Sequence, residues 1–290
     1  MRLLVTGASS PLALGVLRRL LLDSDVEVWC GRHRKEISIT DPRLRVVDLD
    51  LESDLNRSLA DLRFDCVVHF AGLTHASNEQ EYWRINVEGT SRLAEAVQRN
   101  GCRNFVYIST RCATPGSGAY GESKLAAEEQ LRKFDWESLL VLRPAEIYGG
   151  SSNEGIDRLI TVARKFRMVP ALFGHPRLQF APLHVDDFSI IAADLIQQHR
   201  SGRMIQSLCG PEDLTGVDLA SRISKRYHAL PIPVWWPALT LGLRALQSLG
   251  IDIVKPDQLL RSICEKTGTA GTSSTSHIAL RRFLATDSMA

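Results

Sequence analysis

Apolar positions in the first half of the chain come in short runs that alternate with stretches of helical period. Leu3 to Val5 is the first run, ending in Thr6-Gly7, and Leu12 to Leu22 repeats leucine and valine at helical spacing with Pro11 in the first turn. Further strands are predicted at Val26 to Cys30, Leu44 to Val47, Cys66 to Phe70, Phe105 to Ile108 and Leu139 to Leu142, each with the β-branched or aromatic weighting of buried parallel strands. Glu81 to Asn100 predicts a helix stopped by Gly101, and Tyr120 opens another that Lys124 to Phe134 continues. This rhythm predicts an α/β fold with a doubly wound parallel sheet, whose ligands bind beyond the carboxyl ends of the strands.

The rhythm changes in the second half. Gly155 to Phe166, Asp186 to Gln198 and Thr215 to Tyr227 predict helices, the last with Thr215 as its cap, and point to a smaller substrate-facing lobe. Residues 1–150 are expected to form the nucleotide-binding domain, with 183–210 returning to it, and 151–182 with 211–266 to form the lobe. Pro231 to Pro237 and Ala238 to Leu249 form an apolar stretch that is too short to span a membrane and carries Arg244. It is expected to be lobe core or a hydrophobic substrate wall, in preference to a membrane contact. Thr267 to Ser276 is low in complexity, so 267–290 are expected to form a flexible tail, with one short helix at Leu280 to Leu284.

Composition narrows the partner classes. The 44% apolar and 23% charged fractions over 290 residues are those of a globular protein, and a net charge of +2 gives no case for nucleic acid. Six cysteines are scattered without a C-x-x-C pair and read as reduced, buried thiols. The chain enters its first strand with no secretory signal, so a cytoplasmic location is expected. The histidines show no paired ligand spacing and predict no metal site.

The candidate chemistry lies at the predicted strand ends. Gly7 permits a tight turn, and the helix start at Ser10, Pro11 and Leu12 offers unpaired N–H groups to a pyrophosphate, with Ser10 and Ala13 in place of the second and third glycines of a dinucleotide fingerprint. Asp48, ahead of Leu49, stands where a carboxylate would accept the adenine amino group, a helix cap or surface charge being the alternative. Phe70, Ala71 and Gly72 let the backbone approach the cofactor phosphates and ribose. The second strand runs into Arg32 and lacks the acid that binds both ribose hydroxyls of NAD, so the 2′-phosphate of NADP is favoured, with NAD possible. Tyr120 and Lys124 share one helix face, which lets the ammonium lower the phenol pKa.

Taken in order, these pieces resemble the extended short-chain dehydrogenase/reductase family, also called the NAD(P)-dependent epimerase/dehydratase family. The resemblance runs from Arg2 to about residue 225 and rests on Val5-Thr-Gly7, Val46-Val-Asp48-Leu49, Val68-His-Phe-Ala-Gly72, Asn86-Val-Glu-Gly-Thr90, Phe105 to Thr110, Tyr120-Gly-Glu-Ser-Lys124, Leu142 to Gly149 and Leu183-His-Val-Asp-Asp187. It implies a Rossmann-like sheet with a C-terminal substrate lobe and a proton and hydride relay on a carbinol or carbonyl carbon. In that relay Tyr120 would move the oxygen-bound proton, Lys124 would tune it and hold the nicotinamide ribose, and Thr110 would bond the reacting oxygen, with Ser109 as fallback. Asn86 would lie near the cofactor or serve as a helix-start amide, and the segment through Pro144 to Ile147 would face the nicotinamide.

The departures bear on substrate. Arg111-Cys112 replaces the acidic pair with which family dehydratases expel water, so dehydration is disfavoured. Glu146 replaces an asparagine that contacts substrate diphosphate in many epimerases, and the arginine expected near Phe180 or Ala181 is absent. A carboxylate there would repel a diphosphate unless a cation such as Arg143 or Arg177 neutralised it. The short loop from Thr110 to Tyr120 predicts a more open or differently shaped pocket. The leading expectation is an oxidoreductase acting on a ketone or secondary alcohol of a sugar or similar small molecule. A sugar-nucleotide epimerase and a non-catalytic dinucleotide-binding regulator are the alternatives, and a homodimer through the helices at 81–100 and 120–134 is expected by analogy.

Overall fold

The structure, a computed structural model, describes residues 1–268 except 24, 151–154, 200 and 249–255. β1 (Arg2–Thr6) leads into α1 (Pro11–Leu20), followed by β2 (Glu27–Arg32), β3 (Leu44–Asp48), α2 (Leu55–Leu59) and β4 (Cys66–His69). α3 (Glu79–Tyr82), a π-helical turn over Trp83–Gly89 and α4 (Thr90–Arg99) run on without a break to β5 (Asn104–Ile108), and α5 (Ala119–Leu131) leads to β6 (Ser138–Pro144). Then come β7 (Ile147–Tyr148), α6 (Gly155–Phe166), β8 (Met168–Phe173), β9 (Gln179–Phe180), β10 (Leu183–His184), α7 (Val185–Gln198) and β11 (Gly202–Leu208). β12 (Leu214–Thr215), α8 (Gly216–Tyr227), β13 (Leu230–Trp235), α9 (Trp236–Ser248) and α10 (Pro256–Ile263) complete the described elements.

Seven parallel strands form the central sheet in the order β11-β6-β5-β4-β1-β2-β3. The chain builds outward from β1 to β3, then crosses to β4 and builds the other way, so the strand order reverses between β1 and β4. That reversal leaves a crevice at their carboxyl ends, where α/β sheets bind ligands.

Alternation along each strand divides the core between the two faces of the sheet. Leu3 and Val5 of β1 pack on one face with Leu17, Leu20, Phe188 and Ile191 from α1 and α7. Leu4 points to the other, with Leu93, Val97, Phe105, Leu131 and Leu139. Each fully buried leucine contributes roughly 1.5–3 kcal/mol. The lobe has its own core around Tyr148, Ile156, Ile160, Val169, Leu219 and Ile223. α8 starts with a reciprocal cap, Thr215 and Asp218 each satisfying the other's backbone amide.

Two expectations are corrected. The helix predicted over 81–100 is regular only at its ends, because Asn86 turns inward to bond the loop after β4 and the backbone widens to a π-turn around it. The apolar stretch 231–249 is not lobe core over its described part. Among the described side chains of 231–248 only Trp236 and Leu243 are buried, while Trp235 is 54% and Leu241 70% exposed. Among the described residues β13 pairs only with β8, so one of its edges is covered. No described helix is long and apolar enough to cross a membrane. The predicted tail helix and residues 269–290 lie outside the described residues.

Candidate active site

The turn after β1 is built around Gly7, whose φ of +64° belongs to the left-handed region. A Cβ there would meet the backbone nitrogen of Ala71 at 2.6 Å, so only glycine permits β1 and the loop after β4 to approach this closely. Ser10 caps α1 by accepting from the Ala13 amide (3.2 Å), Pro11 opens the helix, and no acidic residue lies in the first turn. Leu12 anchors the same turn in the core. A helix start with the positive end of its dipole and no acidic residue, beside a glycine cradle, fits the pyrophosphate of a dinucleotide.

Beneath this crevice His69 links three elements. Its Nδ1 bonds Thr6 Oγ1 (2.6 Å) and its Nε2 bonds Thr90 Oγ1 (3.0 Å), tying β1, β4 and α4 together. Burial, with a smaller contribution from the Lys124 charge, pushes its pKa down to about 3, so the ring is neutral. Asn86, 1% exposed, accepts from Leu73 N (2.7 Å) and donates to Leu73 O (3.1 Å) and Ser123 Oγ (3.0 Å). A Cβ on Gly72 would lie 2.9 Å from Asn86 Oδ1 and 3.8 Å from Lys124 Nζ, so Gly72, Asn86 and Lys124 meet at one point. Phe70 packs against the core beside them.

Thr110 follows β5 and accepts from the Cys112 amide (3.3 Å), while Tyr120 stands in the first turn of α5. Burial raises the Tyr120 phenol to about 12, against the opposing pull of Arg261 and of the Thr110 hydroxyl. Lys124, 5% exposed, donates to Ile108 O (2.7 Å), and its Nζ lies 4.1 Å from the centre of the Tyr107 ring. Burial pushes its pKa down to about 7. The expectation that Lys124 lowers the Tyr120 phenol is therefore not met in this arrangement: the ammonium is committed to a strand carbonyl, and burial outweighs the cations near the phenol.

Several assignments change. Ser109 is no fallback for Thr110, because its Oγ donates to Glu128 (2.5 Å) within a buried pair that Arg143 closes at 2.6 Å. Arg143 is thereby removed from Glu146. The cations on Glu146 are Arg111 and Lys266, each at 3.2 Å, and the Ala181 amide also donates to it (3.1 Å). Burial alone would raise the Glu146 carboxyl, but Lys266 and Arg111 outweigh it and hold the pKa below the ordinary value. Arg111 is 3% exposed and also bonds Gln179 O (2.9 Å), so it is part of a packed cluster. Pro144 accepts from the Arg111 amide (3.0 Å), and Ile147 pairs with Leu183. Arg32 is bonded to Asp48 (2.8 Å) and Glu36 (3.2 Å), so Asp48 is engaged by a side chain rather than left open, and Leu49 N donates to Arg32 O (2.8 Å).

The sequence reading missed the segment that covers this site. The Arg261 guanidinium lies 4.2 Å from the centre of the Tyr120 ring and donates to Thr74 O (2.9 Å) and Tyr82 Oη (3.1 Å). Glu265 O accepts from Thr114 Oγ1 (2.7 Å), and Thr267 N donates to Arg111 O (3.0 Å). Cys112 Sγ (3.6 Å) and Cys264 Sγ (3.4 Å) both donate to Arg261 O, and the neighbouring thiols shift each other, Cys112 up and Cys264 down. Lys266 sits 4.7 Å from the centre of the Phe180 ring, where the sequence lacks the family's arginine. The short loop after Thr110 is strapped over by this segment, through Thr114 and Glu265 and through Arg111 and Thr267. Only alternation of charge and apolar residues in 256–266 hinted at a packed element, and nothing local named its partner.

The reversal of strand order, the glycine cradle and the Thr110, Tyr120 and Lys124 group beyond β5 together define a Rossmann-like enzyme of the nicotinamide-dinucleotide class. The family model for the NAD dependent epimerase/dehydratase family matches residues 3–205, and the chain belongs to that family. Among relatives, ceramide reductase of Caulobacter vibrioides is 32% identical over 120 residues, 41% of this chain and 37% of that protein, so the match spans well under half of that relative's length. UDP-glucose 4-epimerase of Vibrio cholerae is 23% identical over 265 residues, 80% of this chain and 79% of that protein. Among solved structures, MoeE5 in complex with UDP-glucuronic acid and NAD superposes with a TM-score of 0.75 at 22% identity, covering 99% of this chain and 97% of that one.

Proposed function

We propose that this protein transfers hydride to or from a ketone or secondary alcohol of a sugar or similar polyhydroxylated small molecule. The observation that carries the reading is that Tyr120 and Lys124 lie one helical turn apart on α5, which follows Thr110 beyond the carboxyl end of β5, with Asn86 and Gly72 meeting at Lys124. When bound, the nicotinamide supplies or accepts the hydride. The protein's part is to position and to manage the proton. With its pKa near 12, Tyr120 holds a proton on Oη that it can hand to a carbonyl oxygen, and Thr110 orients that oxygen from the other side. Lys124, with a pKa of about 7, shares charge with the site as pH changes. Gly7, Ser10, Pro11 and Leu12 would hold the pyrophosphate, and Phe70, Ala71, Gly72, Pro144 and Ile147 would line the ribose and nicotinamide.

NADP is the proposed cofactor in preference to NAD. Arg32, with Arg34 and Lys35 next in sequence, gives three cations at the end of β2 against the carboxylates of Asp48 and Glu36. Arg32→Ala is expected to weaken NADP binding by about tenfold or more while leaving NAD binding within about twofold; equal losses for both would reject the assignment.

A sugar-nucleotide epimerase is the second reading, supported by the UDP-glucuronic acid bound in the structurally similar MoeE5. Against it stands Glu146, which already occupies Arg111 and Lys266 and leaves them little charge for a diphosphate. Stoichiometry separates the two, since a reductase consumes reduced cofactor and an epimerase ends with none consumed. Tyr120→Phe should lower kcat about 10²–10⁴-fold with cofactor affinity retained; full activity in that variant would sink both. A cytoplasmic homodimer packed through α4 and α5 completes the proposal, and sedimentation velocity checks it.

A further inference from the structure

The C-terminal ends of α6 and α8 lie side by side on the lobe. α6 packs on α8, and Met168 stands level with Leu230 where β8 and β13 begin. Residues 164–168, Arg-Lys-Phe-Arg-Met, are exposed in succession, and Lys225, His228 and Leu230 are exposed opposite them. A cavity of about 330 Å³ opens there, lined by Arg164, Arg167, Arg226, Tyr227 and His228. The Arg226 Nε is buried without a hydrogen-bond partner among the described residues.

Cations at helix ends ordinarily answer the macrodipole, which amounts to about half a charge at each C-terminus. Five arginines and lysines at two adjacent ends far exceed that. Both helices also end in left-handed residues that are not glycine, Arg167 (φ 54°) and His228 (φ 49°), so basic side chains stand where glycine would fit without strain. Apolar groups are interleaved with the charges: Phe166 is 55%, Met168 46% and Leu230 63% exposed. From Leu230 the exposed apolar strip continues along β13 through Pro231 and Pro233 to Trp235. Cations that would meet phosphate, interleaved with apolar side chains that would enter the acyl boundary, complement an anionic bilayer surface.

We propose that this face docks the protein on anionic phospholipid membranes, the arginine-lined cavity receiving a lipid phosphate and the Phe166, Leu230 and Trp235 side chains entering the interface. Docking here is independent of the Tyr120 chemistry, so Tyr120→Phe binds membranes as the parent does. The test is co-sedimentation of the full chain with vesicles of phosphatidylcholine alone and of phosphatidylcholine mixed with phosphatidylglycerol. Binding is expected only to the mixed vesicles and falls with added salt. Replacing exposed Lys165, Arg167 and Lys225 by Gln should lower partitioning on the order of a hundredfold, since each cation near such a surface is worth about fivefold. The separate Phe166→Ser, Leu230→Ser and Trp235→Ser variant, at exposed positions, should also release the protein, which keeps the test valid if the first variant misfolds. Equal binding to both vesicles, no binding to either, or indifference to both variants overturns the proposal. So does inorganic phosphate binding at this cavity without vesicle binding, or a dimer in sedimentation velocity that the Ser variant dissociates while vesicle binding stays absent.

Discussion

At the scale of single residues, the site is governed by drying. His69 and Lys124 are buried and Tyr120 half-buried, and each moves toward its uncharged form. The consequence for stability has a definite sign. Between about pH 3 and pH 6.5 the unfolded chain protonates His69 while the folded chain does not, so stability should rise with pH across that window. Chemical denaturation at a series of pH values checks this, and His69→Gln should flatten the rise. Lys124 acts in the same direction higher up: from about pH 7 to 10.5 the unfolded chain again holds the extra proton. Gly7→Ala puts a methyl 2.6 Å from Ala71 N at a left-handed position, and is expected to abolish cofactor binding and lower the melting temperature. The glycine was legible from its place after the first strand. The drying was not, because desolvation depends on what closes over a group.

At the scale of elements, the π-turn at Trp83–Gly89 and the segment around α10 decide the geometry. The π-turn lets Asn86 satisfy both backbone groups of Leu73 and reach Ser123 on α5, so one amide joins the loop after β4 to the helix that carries Tyr120 and Lys124. Asn86→Ala strands those backbone groups and should cost about 1–3 kcal/mol, read by denaturant midpoint, with weaker cofactor binding. The segment through Lys266 closes an ion cluster that the first half of the chain leaves incomplete. Glu146→Gln removes the shared anion of Arg111 and Lys266 and should destabilise by about 3 kcal/mol; a neutral result in differential scanning calorimetry would show that the cluster adds nothing. The helical period at 81–100 revealed the rod but not the wide turn within it, since an inward amide leaves the apolar spacing unchanged. The period at 231–249 was misread for a related reason: apolarity marks a preference for burial, and among the described residues β13 has only β8 to pair with.

At the scale of the whole molecule, the reversal of strand order between β1 and β4 gathers residues from distant parts of the chain into one crevice. Contacts across it bridge long separations, 149 residues between Cys112 and Arg261 and 151 between Thr114 and Glu265. The sequence by itself determined the strands, the helices, the glycine turn and the Tyr120-Lys124 helix face, because periodicity and turn chemistry are set by residues a few positions apart. Only the tertiary structure decided that Ser109 and Arg143 serve Glu128, that Glu146 is shared by Arg111 and Lys266, and that Arg261 lies over Tyr120. Which of several cations reaches a given carboxylate depends on chain closure and burial, and those act between residues that no local pattern connects.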